Sequence, residues 1–327
     1  MVSVIIRTFN RAHSIAQAIN SALQQTYNNF EILVVDDGST DDTLRAVQSL
    51  SDPRVHILRH DTNRGVGAAC NTGIARAAGD YVAWLDSDDL WLPEKLQRQI
   101  AFLQQHPEVD AVFSDVWIHD EDVEVPSLTQ DMRAFRGVVD GKPFGAEFVV
   151  TQRQMYLCLL QEVPIKPSAL MVRRGVFEKV GAFDESARSG EDWEFLLRLA
   201  RVSSFGYIHQ PLAETNWTPD STYHRFWIQD KTFLIGVFQR ERNRLRHDRE
   251  AFDAAGRGLF LHFKSLGYYY VRMGRSNDAA KTYLQGFKAT HESEFVFQAG
   301  AAFIPVDLRR AMLRLLRSAP SPQRRFL

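Results

Sequence analysis

An acidic cluster, Asp86-Ser87-Asp88-Asp89, directly follows the apolar run YVAWL. Side chains two positions apart on an extended backbone point to the same side, so Asp86 and Asp88 can face one ligand. Two carboxylates of this kind suit a hard divalent cation such as Mg²⁺ or Mn²⁺, and phosphate oxygens would complete a site with so few protein ligands. The pattern therefore predicts a metal and phosphate site. The alternative is a solvated acidic turn that caps the next helix.

A second acidic pair, Asp36-Asp37 in VVDDGSTDDT, ends another apolar run. Repulsion between carboxylates disfavours its binding the same metal ion. Carboxylates also accept hydrogen bonds from ribose hydroxyls and base N–H groups, so we expect this pair to contact a nucleoside. The alternative is a helix cap, for which Ser39, Thr40 and Asp41 would suffice.

The sequence places these acidic clusters at the ends of strands in an α/β sheet. Four apolar runs, VSVII, FEILVV, VHIL and YVAWL, alternate with segments of helical periodicity. Strands that are apolar on both faces indicate a mostly parallel sheet flanked by helices. Ligands of such sheets bind beyond the carboxyl ends of the strands, where we expect Asn10, Asp36, Asp37, Asp86 and Asp88.

Two further predictions concern segments that contain glycine. Gly79 is expected to close the helix over NRGVGAACNTGIARAA, because glycine commonly ends helices. Residues 120–150 are polar and contain glycines and prolines, which predicts a long loop that covers the site as a flexible lid.

Composition disfavours several functional classes. The chain has 327 residues and a net charge of −1, so no overall basic field favours nucleic acid. Its two cysteines, Cys70 and Cys158, provide neither a disulfide framework nor a paired metal motif. No run of about 18 apolar residues could cross a membrane, and no leader peptide is visible. We therefore expect a cytoplasmic protein with reduced thiols.

From about residue 223 onward the sequence predicts helices. The stretch LGYYYVRMGRSNDAAKTYLQGF is spaced like one tetratricopeptide repeat, which predicts a helical hairpin that packs on the rest of the chain or seats a partner. In VDLRRAMLRLLR, leucines and Met312 share one helical side, opposite Arg310, Arg314 and Arg317. This basic amphipathic end either lies on an anionic membrane surface or packs its leucines on the protein.

Four stretches taken together resemble the family 2 glycosyltransferases, inverting enzymes of the GT-A fold: SVIIRTFNR, FEILVVDDGSTDDT, NRGVGAACNTGIARAAGDYVAWLDSDDLW and GEDWEFLLRLA. The resemblance covers roughly residues 1–215. It implies a GT-A-like catalytic domain over residues 1–222, followed by an α-helical C-terminal domain over residues 223–327.

The resemblance also implies roles for individual residues. Those expected to contact the nucleotide are Thr8, Phe9, Asn10, Arg11, Asp36, Asp37, Arg64, Asp86 and Ser87. Within that set Asp37 would bind the base. Asp86-Ser87-Asp88 is similar to the DXD motif, in which Asp86 lies near the ribose and diphosphate and Asp88 ligates Mn²⁺ or Mg²⁺. Asp192, with Glu191 as second choice, would be the general base. The alternative for this last pair is an acidic first turn favoured by the helix dipole.

The reaction implied is transfer of a sugar from a nucleotide-diphosphate sugar to an acceptor hydroxyl, with inversion. A UDP-sugar is the expected donor, and TDP- and GDP-sugars are the alternatives. The expected acceptor is a saccharide or a lipid-linked saccharide of cell-surface polysaccharide or glycolipid synthesis. A lipid-linked acceptor would suit a cytoplasmic protein with peripheral contact to the inner face of the membrane.

The sequence departs from the family pattern at three places. Arg7 stands where a proline is usual, and Cys70 stands where an arginine usually precedes the asparagine, so we expect Arg64 to supply the missing cation. ETNWTPDST replaces a segment in which many members carry an arginine and a histidine. These departures keep open a catalytically degenerate nucleotide-sugar-binding protein whose helical tail recruits partners. A nucleotidyltransferase is disfavoured because RTFNRAHS lacks glycines.

Overall fold

The apolar runs of the sequence form the strands of one sheet. The computed structural model describes residues 1–120, 124–217 and 225–304. Its strands are β1 (Val2–Thr8), β2 (Phe30–Asp36), β3 (Val55–Arg59), β4 (Tyr81–Trp84), β5 (Leu90–Trp91), β6 (Val109–Asp120), β7 (Glu124–Val125), β8 (Glu147–Val150), β9 (Leu170–Arg173) and β10 (Ser204–Trp217). β1 and β2 are buried along almost their whole length, which explains why they read as continuous apolar runs rather than as alternating patterns.

The strand order is β3-β2-β1-β4-β9-β6-β10-β5, with β7 on β6 and β8 on β10. The first four strands of this order are parallel to one another. β9 lies antiparallel between β4 and β6, and β6 and β10 are again parallel. The predicted α/β class is thus confirmed, and the antiparallel β9 makes the sheet mixed.

Helices flank the sheet, and the described elements after β10 are all helices. They are α1 (Ile15–Leu23), α2 (Thr43–Gln48), α3 (Val66–Arg76), α4 (Lys95–Gln105), α5 (Arg133–Val139), α6 (Gln152–Leu159), α7 (Val176–Val180), α8 (Glu191–Ala200), α9 (Trp227–Arg244), α10 (Arg249–Arg272), α11 (Ser276–Thr290) and α12 (Glu294–Ala301). Short 3-10 helices span Thr129–Asp131 and Pro167–Ala169. Ile15, Ala18 and Ile19 lie on one face of α1, and this face packs in a hydrophobic core that also contains Val4 of β1.

The predicted lid over residues 120–150 is wrong for the part of that segment that the structure describes. β7, a 3-10 helix, α5 and β8 replace the loop. The buried carboxylate of Asp115 accepts hydrogen bonds from the backbone nitrogen of Thr129 at 3.2 Å and from its Oγ1 at 2.8 Å. Phe135 of α5 is fully buried. A few anchoring contacts therefore fix a segment whose polar composition suggested mobility.

Gly79 does not close α3 as predicted. The helix ends at Arg76 and is followed by Ala77 in an extended conformation. A Cβ on Gly79 would lie 2.7 Å from the carbonyl oxygen of Met1 and 2.7 Å from the nitrogen of Ser3. Close approach to the start of β1, rather than helix capping, requires glycine there.

The chain divides into two compact units, Met1–Phe233 and Leu234–Leu327. In the second unit the repeat-like stretch spans the end of α10 and most of α11, and Gly267 packs directly under the ring of Tyr283. The boundary predicted at residue 222 and the basic amphipathic end at residues 308–317 lie outside the described residues. Over the described ranges, none of the helices combines the length and the apolar character needed to traverse a bilayer.

Candidate active site

The carboxyl ends of β1, β2 and β4 meet at one edge of the sheet, as predicted. In the parallel register Thr8 lies beside Asp36, and the backbone nitrogen of Asp37 donates to the carbonyl of Thr8 at 2.9 Å. On the other side of β1, the nitrogen of Leu85 donates to the carbonyl of Ile5 at 3.1 Å. The two acidic clusters therefore flank the end of β1, although they are far apart in the sequence.

The loop after β1 is tied to the loop after β2. Asn10 has a positive φ of 53°, a conformation that asparagine tolerates better than most residues. Its backbone nitrogen donates to Oγ of Ser39 at 2.9 Å, and its side-chain oxygen accepts from the nitrogen of Thr40 at 2.8 Å. The nitrogen of Arg11 donates to Oγ1 of Thr43 at 2.8 Å. These bonds give the expected nucleotide loop a fixed shape.

Several expected nucleotide contacts line this edge. Thr8 is buried, and its Oγ1 has no hydrogen-bond partner among the described residues. Phe9 is half-buried and Ser87 is buried. At the start of α2 it is Asp41 that accepts a hydrogen bond from the nitrogen of Thr43, at 3.0 Å. The hydrogen bond at the start of α2 is therefore accepted by Asp41, and not by Asp36 or Asp37.

Asp37 is held by the segment that precedes α3. Its Oδ1 accepts from the backbone nitrogen of Arg64 at 2.9 Å, and its Oδ2 accepts from the nitrogen of Gly65 at 2.8 Å. Nδ1 of His60 lies 2.6 Å from Oδ1. Sequence reasoning missed His60, because a lone histidine at the end of a strand belongs to no recognisable motif.

The residues after β4 form a turn rather than an extended strand. β4 ends at Trp84, and the nitrogen of Asp89 donates to the carbonyl of Asp86 at 3.1 Å. The argument from extended spacing therefore does not apply, yet Asp86 and Asp88 both meet basic side chains of the β1 end. Asp86 Oδ1 lies 2.9 Å from Nη2 of Arg7, and Asp88 Oδ2 lies 3.6 Å from Nε of Arg11.

Asp89, the third aspartate of the cluster, faces the protein interior. Its carboxylate accepts from Oγ of Ser168 at 2.6 Å, from the nitrogen of Asn216 at 3.1 Å and from Oγ1 of Thr215 at 3.3 Å. Burial, with Asp86 and Asp88 nearby, holds the pKa of Asp89 well above its usual range. Asp89 therefore links the turn to β10 through hydrogen bonds, and its carboxyl group is not available to a ligand.

The remaining two carboxylates fit a divalent cation. Burial and the charge of Asp86 raise the pKa of Asp88, although Arg11 opposes the shift. A cation would relieve this crowding of negative charge. Throughout the described parts of the chain, no group of three or more His, Cys, Asp or Glu side chains is placed to hold a metal. Asp86 and Asp88 alone would therefore not complete the coordination of Mg²⁺ or Mn²⁺, which would need further oxygens such as those of a diphosphate.

The candidate base lies at the first turn of α8. Gly190 precedes the helix in the left-handed conformation, with a φ of 85°. Glu191 is buried, and burial together with Asp192 raises its pKa to about 7. Burial also raises the pKa of Asp192, against the charge of Arg7. Asp192 is less buried than Glu191 and lines a cavity of about 10 Å³ that Arg7 also lines.

Two departures from the family pattern meet in space. Nη1 of Arg7 lies 3.3 Å from Sγ of Cys70 and 4.0 Å from Oε1 of Glu191. Arg64 does not take this place, because its side chain is 51% exposed and pairs with Glu185 at 3.4 Å. The cation next to Cys70 thus comes from β1. Sequence reasoning did not include Arg7 among the site residues.

Comparison with known proteins identifies the family of the chain. A model of the family described as glycosyl transferase family 2 matches residues 3–181. An uncharacterized glycosyltransferase of Rickettsia prowazekii is 32% identical over 217 residues, which cover 66% of this chain and 63% of the relative. WfgD of Escherichia coli, a UDP-Glc:alpha-D-GlcNAc-diphosphoundecaprenol beta-1,3-glucosyltransferase, is 42% identical over 103 residues, or 32% of this chain and 41% of WfgD.

Among solved structures, S. aureus TarS 1-349 in complex with UDP-GlcNAc superposes with a TM-score of 0.67. The two chains share 19% identity, and the match covers 97% of this chain and 91% of TarS 1-349. This likeness establishes the fold and confirms the GT-A-like architecture predicted from the sequence. Because the family model spans more than half of the chain, the protein belongs to glycosyl transferase family 2.

Proposed function

We propose that the protein is an inverting glycosyltransferase that moves a sugar from a UDP-sugar to an acceptor hydroxyl. One observation carries the proposal. The guanidinium of Arg7 contacts Asp86 at the end of β4 and Glu191 at the start of α8. The acidic turn suited to a sugar diphosphate and the acidic pair suited to proton removal therefore belong to one site.

A uridine donor is supported by the relatives. TarS has been crystallised with UDP-GlcNAc, and the name of WfgD specifies UDP-Glc. In this chain the buried hydroxyl of Thr8 can donate or accept a hydrogen bond, and the fixed carboxylate of Asp37 can accept one. Both groups would suit contacts to a nucleoside. Thr8, Phe9, Asn10, Arg11, Asp36, Arg64 and Ser87 remain proposed nucleotide contacts.

Asp88 and Asp86 would hold Mn²⁺ or Mg²⁺. When bound, such an ion neutralises negative charge on the departing diphosphate. Arg11 lies on the same side of the turn as Asp88 and adds a fixed positive charge there. The charged groups of this edge are thus set before the donor arrives, so little reorganisation accompanies bond breaking.

Asp192 is the proposed general base. The acceptor oxygen attacks the anomeric carbon while the bond from that carbon to the diphosphate oxygen breaks, and the acceptor proton passes to the Asp192 carboxylate. One displacement inverts the anomeric configuration. Asp192 suits this role better than Glu191, because Asp192 is half-buried and lines the cavity beside Arg7, whereas Glu191 is only 4% exposed.

The proposed acceptor is a lipid-linked saccharide of cell-surface polysaccharide synthesis. The name of WfgD specifies a diphosphoundecaprenol-linked acceptor, and WfgD aligns with 32% of this chain. We propose that residues 1–222 carry catalysis in the cytoplasm. Residues 223–327 would seat the acceptor, with the basic end on the inner face of the membrane.

The test combines binding and turnover. UDP, TDP and GDP are titrated by calorimetry with Mn²⁺, with Mg²⁺ and with chelator, and donor turnover is measured with the corresponding sugars and lipid-linked acceptors. We expect metal-dependent UDP binding that Asp88→Asn abolishes. Asp192→Asn should keep UDP binding and lower kcat by about 10²–10⁴-fold. Asp140→Asn, at an exposed aspartate after α5, is the matched control.

A catalytically degenerate binder is the second candidate, since Arg7 and Arg11 already neutralise Asp86 and Asp88 without a metal. It predicts UDP binding that is indifferent to chelator and to Asp88→Asn, with no turnover of any donor. That result would overturn the enzymatic proposal.

A further inference from the structure

Arg7 is enclosed by side chains from three elements. It extends from β1, and its side chain is 17% exposed. Its guanidinium lies 2.9 Å from Asp86 after β4, 3.3 Å from Cys70 in α3 and 4.0 Å from Glu191 at the start of α8. The neighbours of Arg7 on β1, Ile6 and Thr8, point to the opposite face of the sheet.

The charge of Arg7 balances two acidic groups that would otherwise repel each other. Burial opposes the guanidinium charge, but Asp86, Cys70 and Glu191 together outweigh that effect, and the pKa of Arg7 lies above its usual range. An arginine therefore stays charged here under all working conditions. Removing it would leave the buried Glu191 and the half-buried Asp86 without their shared partner, which is unfavourable.

The ion pair also fixes which oxygen Asp86 presents. Oδ1 of Asp86 is enclosed and faces Arg7, while the Asp86 side chain as a whole is 26% exposed. The backbone is anchored as well, because the nitrogen of Asp86 donates to Oγ of Ser168 at 3.0 Å. With Oδ1 engaged, Oδ2 is the oxygen left to face a donor.

We propose that Arg7 is a positioning residue that holds Asp86 toward the sugar donor and the first turn of α8 toward the acceptor, and thereby couples the two halves of the site. This inference rests on the proposed function. It requires a guanidinium, because a planar fork can reach two partners at once, whereas the ammonium of lysine is a single point of charge.

The contact with Cys70 makes it possible to test whether the site needs a positive charge at this place or needs that charge to come from position 7. Sγ of Cys70 lies beside the guanidinium, so an arginine at position 70 would extend into the space that Arg7→Ala vacates. The double variant Arg7→Ala/Cys70→Arg therefore moves the cation to α3, and its two side chains together differ from those of wild type only by the loss of the sulfur atom. Arg7→Met removes the charge and keeps most of the bulk of the side chain.

The experiment measures kcat, the donor KM, UDP affinity and Tm for wild type, Arg7→Lys, Arg7→Met, Arg7→Ala and the double variant. Arg76→Met, at an exposed arginine at the end of α3, is the control. Loss of a partner that orients a ligating side chain typically costs about 10–100-fold, so we expect Arg7→Met to raise the donor KM and lower kcat by that order each. Arg7→Lys should restore one of the two parameters in part, and the double variant should recover both relative to Arg7→Ala.

A lower Tm with kcat and donor KM within about twofold of wild type would make Arg7 merely structural and would overturn the inference. Failure of the double variant to exceed folded Arg7→Ala would also contradict it. Should wild type turn over no donor, the proposed function fails. In that case the role of Arg7 is tested by UDP affinity alone, and equal UDP affinity in wild type and Arg7→Met would overturn the positioning role.

Discussion

Nδ1 of His60 lies 2.6 Å from Oδ1 of Asp37, and Nε2 of the same ring lies 2.9 Å from Oγ1 of Thr72 in α3. His60 directly follows β3, so the ring links the ends of β2 and β3 to a helix. Both His60 and Asp37 are buried. The histidine therefore fixes the carboxylate that we propose for recognition of the base.

Replacing His60 with alanine should weaken UDP binding, because Asp37 loses one of its three hydrogen-bond donors and gains freedom to rotate. A hydrogen bond to a charged group contributes about 1.5–3 kcal/mol, so a lower Tm is expected as well. Calorimetry and thermal denaturation measure the two effects. His56→Ala, at an exposed site on β3, should change stability by less than about 0.5 kcal/mol. Equal UDP affinity in the two variants would contradict the role of His60.

The strand ends could be predicted because their information is local. Buried parallel strands read as apolar runs, and the residues that follow them must meet at one edge. Asp37, Asp86 and Asn10 were placed correctly at that edge for this reason. The path of residues 124–150 could not be predicted, since Asp115 and Phe135 anchor it through contacts that no local pattern reveals.

The partners of the acidic residues were equally inaccessible to sequence reasoning. Arg7, Cys70 and Glu191 come from a strand and two helices, and only the packed structure brings them together. The sequence also gives no partner for Asp89. Its hydrogen bond with Ser168 joins residues that are 79 positions apart, and only the packed structure brings them together.

Asp88 and Asp89 should respond to alanine in opposite ways. Asp89→Ala leaves the two buried hydroxyl groups of Ser168 and Thr215 without their acceptor, at about 1–3 kcal/mol each, together with the half-buried nitrogen of Asn216, and should lower Tm by several degrees. Asp88→Ala removes a carboxylate whose charged form is disfavoured by burial, so Tm should be unchanged or higher while transferase activity is lost. Paired melting curves and donor turnover test this contrast. A Tm loss of similar size in both variants would refute it.

Gly79→Ala should be strongly destabilising, because the new methyl group would meet the backbone of Met1 and Ser3, which cannot move aside as a side chain could. Overpacking of this kind costs about 1–3 kcal/mol or more. Gly175→Ala is the matched control, since a Cβ there meets nothing within 4 Å and the φ of −61° suits alanine. Thermal denaturation of both variants measures the difference, and a Gly79→Ala protein as stable as Gly175→Ala would disprove the close-approach explanation.

Glu191 should make the stability of the protein depend on pH in a specific direction. Its pKa rises from 4.5 to about 7 on folding, so between these values the folded chain binds more protons than the unfolded chain. Stability must therefore fall as pH rises through this window. Glu191→Gln mimics the neutral acid and does not titrate, so its Tm relative to wild type should be higher at pH 8 than at pH 5. Glu178→Gln, at an exposed position in α7, should show no such change.

If the Tm difference between Glu191→Gln and wild type is the same at both pH values, the carboxyl group of Glu191 is ionised throughout. Arg7 would then compensate its burial fully, which would leave Glu191 as an equal candidate for the base.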